Sequence, residues 1–222
     1  MSSIKRLRIF AGPNGSGKTT LYYHLVNAKA FKDYCFINAD EIAEKLKKPF
    51  DLNSFPLKFS MNEFFDFLNN STFLPKGTAY ISASIAEFLR QKMLINSNSS
   101  FAFETVFSHK SKLDEIRKAK KYGYKVYLYV ISTEHPNINK KRVQMRKEMG
   151  GHFVPLKKIQ ERYYRSLDNI YEAMLLADKA FFFDNSGKKI SFIAQKKDEK
   201  LFLVNDFLPY WFNKYILKKI FK

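Results

Sequence analysis

The sequence predicts an α/β fold: a three-layer sandwich with a mostly parallel sheet and helices on both faces. Two observations carry this. Short apolar runs alternate with longer stretches of helical spacing along the 222 residues, the pattern of parallel strands joined by helices. And Gly12–Thr20, reading GPNGSGKTT, stands between the apolar run Leu7–Ala11 and a helical pattern that begins at Leu21. Its spacing fits G-x-x-x-x-G-K-[ST], the P-loop, with the strand before and the helix after that the motif requires.

Composition sets outer bounds. The length suits one domain, or one domain with an insertion. Hydrophobic residues are 45%, enough for a core. Met1–Arg8 is basic, but the apolar run after it is too short for a signal peptide. No run of 18 apolar residues exists, so no spanning helix is expected and a cytoplasmic protein is the simplest reading. The single cysteine, Cys35, excludes an internal disulfide and a cysteine-based zinc site. Its neighbours Tyr34 and Phe36 favour a core residue over a reactive thiol. The net charge is +18, and His109–Arg165 holds sixteen Lys and Arg against five Asp and Glu. That concentration suits polyphosphate, nucleic acid or an acidic partner; for most single lysines a solvated surface is the better account.

The P-loop has a physical mechanism. Gly12, Gly15 and Gly17 leave room for a tight turn, and Pro13, Asn14, Ser16 and Thr20 complete the loop. Consecutive N–H groups and the positive end of the next helix hold polyphosphate. Lys18 is expected to reach the β- and γ-phosphates, and the Thr19 hydroxyl to bind Mg²⁺. The chain therefore reads as binding a nucleoside triphosphate.

The elements follow in order. Residues 7–11 are the first strand and 17 to about 29 the first helix. Tyr34–Ala39 is a second strand, followed by Asp40 and a short helix over Ile42–Lys48. Ligands of open α/β sheets sit beyond the carboxyl ends of strands, so Asp40 is placed to accept a proton from an attacking hydroxyl. Capping the next helix is its other available role. Residues 49–76, rich in Phe and broken by Pro49, Pro56 and Pro75, read as an insertion that packs on the core or walls a pocket. A long helix is read over Gly77–Ile95, with Ile81, Ile85, Phe88, Leu89 and Lys92 near helical spacing. Phe101–Phe107 is a third strand carrying Glu104 and Thr105. Their polar groups need partners, with substrate hydroxyls, Mg²⁺ or internal hydrogen bonds as candidates. No clear Walker B strand appears otherwise, so Glu104 or Asp40 must help with the metal.

Ser111–Tyr122 is a basic helix and Lys125–Ser132 a fourth strand. Asn137–Met149 is a helix with Arg142 and Arg146 on one face. A second helix runs from Pro155 to about Ala177, with Ile159, Tyr163, Leu167, Ile170 and Met174 as its buried stripe and Lys158, Arg162 and Arg165 on a basic face. Two arginine-bearing helices joined by Gly150-Gly151 read as a hinged helical lid over about 137–165. A guanidinium there would stabilise the charge of a transferring phosphoryl group. Lys179–Asp184 is a fifth strand. An antiparallel hairpin and a basic helix over Asp206–Phe221, with Trp211, fill about 188–222. That helix either docks on the sheet or lies on a membrane.

Taken together, GPNGSGKTT, NADEIA, FETVFS, RVQMR…GGHFVP…IQERYYRSLDN and FFFDNSG resemble the zeta toxin family of P-loop kinases, in register from about residue 7 to 187. The resemblance implies one P-loop kinase domain over 1–222 with a helical lid, using ATP and Mg²⁺. It implies phosphate transfer to a nucleotide-sugar hydroxyl such as that of UDP-N-acetylglucosamine, and a protein antitoxin as partner. It places Lys18 and Thr19 on nucleotide and metal, Asp40 as base, and Glu104 and Thr105 against substrate. Arg142, Arg146 and Arg162 become the catalytic lid arginines, and Asn185 approaches the nucleotide base. The GGH of the lid and the Phe-rich insertion depart from the best-known toxins. Two other readings stay open: a polynucleotide or tRNA kinase, which the charge favours, and a non-catalytic ATP-binding module.

Overall fold

The computed structural model describes residues 4–32, 35–47, 57–70, 78–96, 99–150 and 154–221. They form two compact units, Met1–Asp33 with Glu104–Lys222, and Tyr34–Phe103. The strands are β1 (Arg6–Ala11), β2 (Cys35–Ile37), β3 (Phe101–Thr105), β4 (Lys125–Ser132), β5 (Lys179–Asp184), β6 (Ser191–Lys197) and β7 (Lys200–Leu203). The longer helices are α1 (Lys18–Asn27), α2 (Ala39–Lys45), α3 (Met61–Asn69), α4 (Thr78–Asn96), α5 (Ser111–Lys121), α6 (Pro136–Glu148) and α7 (Leu156–Leu176). Most strand pairings are parallel, and the class is α/β as expected.

In the first unit β1, β4 and β5 lie parallel, from Arg6↔Lys125 to Ala11↔Val130 and from Tyr127↔Lys179 to Ser132↔Asp184. The antiparallel hairpin of β6 and β7 continues the sheet. Leu7, Ile9, Val126, Leu128, Val130, Ala180 and Phe182 are buried, because strands covered on both faces are apolar throughout. The paired residues Phe10, Tyr129 and Phe181 stack across three strands, with centroids 4.7 and 4.9 Å apart. All five residues of the predicted α7 stripe are buried. The register brings Gly12, Thr133 and Asn185 to the carboxyl ends of adjacent strands.

The C-terminal segment docks. Trp211, Phe212, Tyr215 and Ile216 are buried, and Trp211 Nε1 donates to Asp184 Oδ1 at 2.9 Å. Its helix runs from Tyr210 through a wider π turn to Ile220, starting later than the predicted Asp206. Pro209 is the reason, since the residue before a proline disfavours helix. The Glu134 carboxylate accepts from Tyr210 N–H at 2.9 and 3.1 Å, which caps the new start.

The second unit pairs β2 with β3 in parallel, Cys35 opposite Phe101. Burial pushes the Cys35 thiol up to about 11, in keeping with a packed rather than reactive side chain. Of the 49–76 insertion, 57–70 is described. Ser60 and Glu63 form a capping box for α3, and the rings of Phe59, Phe64 and Phe67 surround Phe88 on α4 at 4.9–5.4 Å. This part of the insertion builds the unit's core. Phe50, Phe55 and Phe73 lie outside the described residues. On α4, Ile85, Phe88 and Leu89 are buried but Ile81 is exposed, so the stripe begins a turn later than the spacing predicts.

Candidate phosphate-binding site

The loop after β1 makes two approaches that a side chain would prevent. A Cβ on Gly12 would lie 2.0 Å from the Ile131 carbonyl oxygen on β4. Gly17 has φ 96°, the left-handed region that glycine tolerates, and its Cβ would lie 2.5 Å from Asn185 Nδ2. Gly12 N–H donates to the Thr105 carbonyl at 3.3 Å, which ties the loop to the end of β3. Ser16 N–H closes a turn onto Pro13 at 3.2 Å. Helix α1 then starts at Lys18 with no acidic residue in its first turn and no side-chain cap, so its positive end faces the loop uncompensated. Lys18 is buried, and its Nζ donates to the Pro13 carbonyl at 3.1 Å.

Glu104 has the partner its position demanded. Thr19 Oγ1 donates to Glu104 Oε2 at 2.5 Å. A hydroxyl and a carboxylate together are the hard oxygen donors that Mg²⁺ takes from a protein, which leaves other positions to phosphate and water. Among the described residues no group of three or more His, Cys, Asp or Glu could hold a metal. The residues therefore fit a metal shared with phosphate and do not form an all-protein cage. Thr105 uses its hydroxyl differently. Oγ1 accepts from Phe107 N–H at 3.2 Å, and Phe107 is buried at φ 61°. Asn169 Nδ2 donates to the Phe107 carbonyl at 3.1 Å, so the strained turn is held from both sides. That φ ends β3 two residues before the predicted Phe107.

The DNS at the end of β5 divides its work. Asp184 accepts from Trp211, Asn185 Nδ2 donates to the Ser16 carbonyl at 2.8 Å, and Ser186 Oγ accepts from Glu134 N–H at 2.7 Å. Asn139 on α6 was not singled out by sequence reasoning. It is fully buried, and its Nδ2 donates to the Asn14 carbonyl at 2.7 Å. Thr133 Oγ1 donates to Asn139 Oδ1, and Tyr163 OH donates to the Thr133 carbonyl at 2.6 Å. A lone buried Asn in a basic helix carries no motif that would have marked it. Among the buried polar atoms of the described residues without a hydrogen-bond partner are Asn14 Oδ1, Ser16 Oγ and Arg142 Nη1, together with Ser166 Oγ on α7. Asn14 and Ser16 are both in the loop, where a polar ligand would satisfy two of these atoms at once.

The remaining predicted residues differ in burial. Arg162 is half-buried; Arg146, Arg165 and Thr20 are exposed. Residues 151–153 of the lid turn lie outside the described residues. Val143, Val154 and Ile159 pack together and join α6 to the start of α7. Asp40 belongs to the second unit. Helix α2 begins at Ala39, earlier than predicted, so Asp40 sits inside its first turn and the cap is Asn38, whose side chain accepts from Asp40 N–H at 2.9 Å.

Known proteins share the fold. Residues 7–165 match the family model described as AAA domain. No curated protein matches the sequence. Among solved structures, the AvrRxo1-ORF1:AvrRxo1-ORF2 complex with sulphate ions is 15% identical, with a TM-score of 0.62 over 91% of this chain and 62% of that one. The same complex with ATP is 16% identical, TM-score 0.61, over 90% and 60%. The PezAT chromosomal toxin–antitoxin system of Streptococcus pneumoniae is 15% identical, TM-score 0.53, over 83% and 69%. The chain thus spans about three fifths of the length of the AvrRxo1 complex chains it matches, at 62% and 60%. At these identities the likeness is one of fold. Among the described residues no helix is long and apolar enough to cross a membrane. With its match over 7–165 and a loop built as above, the chain belongs to the AAA domain family and carries the P-loop nucleotide-binding fold.

Proposed function

We propose that this chain is an ATP-dependent kinase. It transfers the γ-phosphate to a hydroxyl of a small acceptor, a nucleotide sugar of the UDP-N-acetylglucosamine kind. The observation that carries the reading is the Thr19–Glu104 pair beside a P-loop that encloses Lys18. Thr19 and Glu104 would hold Mg²⁺, which when bound supplies charge neutralisation to the phosphates. Lys18 and the loop amides orient the triphosphate. The acceptor oxygen forms a bond to the γ-phosphorus, the bond to the β-phosphate oxygen breaks, and ADP leaves. The hydroxyl proton passes to the Asp40 carboxylate. Arg142, Arg146 and Arg162 neutralise the charge spread over the equatorial oxygens, with the buried Nη1 of Arg142 the foremost candidate. The fold shared with PezAT supports a role as the toxin of a toxin–antitoxin pair with a protein antitoxin.

The test is direct. The protein is incubated with ATP and Mg²⁺ against a panel of nucleotide sugars and oligonucleotides, and mass spectrometry detects an added phosphate. Phosphate on a nucleotide sugar is the expected result. Phosphate on oligonucleotides alone would install the polynucleotide-kinase reading that the +18 charge favours. Its affinity would then fall steeply with salt. ATP binding without transfer to any acceptor would leave a non-catalytic module.

Glu104→Gln separates metal from nucleotide. It keeps the shape and removes the charge that orients the Thr19 hydroxyl. The Mg²⁺ concentration for half-maximal turnover is expected to rise roughly 10- to 100-fold, the scale of losing a group that orients a metal ligand. ATP binding measured without Mg²⁺ should be unchanged. An unaltered Mg²⁺ titration would remove Glu104 from the metal site.

A further inference from the structure

Two asparagines grip the phosphate loop from outside. Asn139 Nδ2 holds the Asn14 carbonyl at 2.7 Å, and Asn185 Nδ2 holds the Ser16 carbonyl at 2.8 Å. Each comes in against the glycine that follows the carbonyl it holds. A Cβ on Gly15 would lie 2.9 Å from the Asn139 backbone oxygen, and one on Gly17 2.5 Å from Asn185 Nδ2.

The peptide plane converts this grip into a direction. The described backbone has no cis peptide bond, and in a trans peptide the C=O and the following N–H point opposite ways. Holding the Asn14 oxygen toward Asn139 turns the Gly15 N–H away from it. Holding the Ser16 oxygen toward Asn185 turns the Gly17 N–H away likewise. Neither N–H donates to another group among the described residues. A glycine-flanked peptide plane rotates easily, so without the two side chains these amides would have no fixed aim.

The Asn139 amide is itself locked. Its Oδ1 accepts from Thr133 Oγ1, and the Thr133 carbonyl accepts from Tyr163 OH. A flipped amide would set oxygen against the Asn14 oxygen and lose the Thr133 donor. Burial raises the Tyr163 phenol far above its ordinary range, so it stays a donor at any working pH.

We infer that Asn139 and Asn185 are positioning residues that aim the Gly15 and Gly17 amides at the phosphate oxygens of the bound nucleotide. The inference rests on the reading of the loop as a triphosphate site. It assigns Asn185 to the loop backbone, where the family resemblance had placed it near the base.

Glycine-selective ¹⁵N labelling tests it, because the chain has only eight glycines. Asn14-Gly15 is the only Asn-Gly pair, so that signal is identified by labelling the asparagine carbonyl with ¹³C. In the wild type, ATP is expected to move both the Gly15 and Gly17 amide protons downfield. Asn139→Ala should abolish the Gly15 shift and keep that of Gly17; Asn185→Ala should do the reverse. Each should weaken ATP and inorganic tripolyphosphate by the same factor, about five- to tenfold, the size of one hydrogen bond. If Asn139→Ala does not fold, Tyr163→Phe removes only the outer link and should reduce the Gly15 shift alone. Wild-type shifts in every variant, or both glycines responding together to either substitution, would overturn the inference. Wild-type signals that ignore ATP would overturn the nucleotide-site reading along with it.

Discussion

Lys18→Ala is expected to lower phosphoryl transfer by about 10³-fold or more, the scale of removing one preorganised charge from a transferring phosphoryl group. The reason lies in where the ammonium is held. Lys18 is 7% exposed, and its Nζ lies against the Pro13 carbonyl, inside the turn whose amides would receive the phosphates. Charge there is poorly screened by water, so its loss is felt nearly in full. The substitution also leaves the Pro13 oxygen without its donor. Lys18→Arg should not rescue, because a planar fork does not replace a compact point charge in so tight a turn. Steady-state ATP consumption with acceptor, read beside calorimetric ATP binding, makes the measurement. Normal turnover in Lys18→Ala would show that the chemistry happens elsewhere.

Asp40→Asn is expected to spare ATP binding and cut transfer by roughly 10²- to 10⁴-fold, the range for losing a general base. The structure makes this substitution clean. Capping of α2 is done by Asn38, so the Asp40 carboxylate is not needed to start the helix. Asp40 is exposed, so the change leaves no buried group without a partner. An unchanged melting temperature with transfer lost would support the base. An Asp40→Asn protein that transfers phosphate at the wild-type rate would end that assignment.

The loop was legible because its constraint is local. Three glycines, a lysine and a threonine at fixed spacing between a strand and a helix leave few alternatives. The buried stripe of α7 was legible for the same reason: a periodicity of 3.6 residues is written into neighbouring positions. The start of α2 was misjudged by a few residues because Asn38 and Asp40 are equally good caps on paper. The late start of the C-terminal helix depended on Pro209.

By itself the sequence determined the α/β class, the place of the P-loop and the candidates for metal and base. Those follow from short-range rules of backbone freedom, apolar spacing and charge. The folded chain alone decided that Glu104 meets Thr19 across 85 positions. It decided too that Asn139 and Asn185 reach the loop across 125 and 169. Partners so distant are chosen by strand order and register, and a side chain that merely donates one hydrogen bond leaves no pattern along the sequence to announce it.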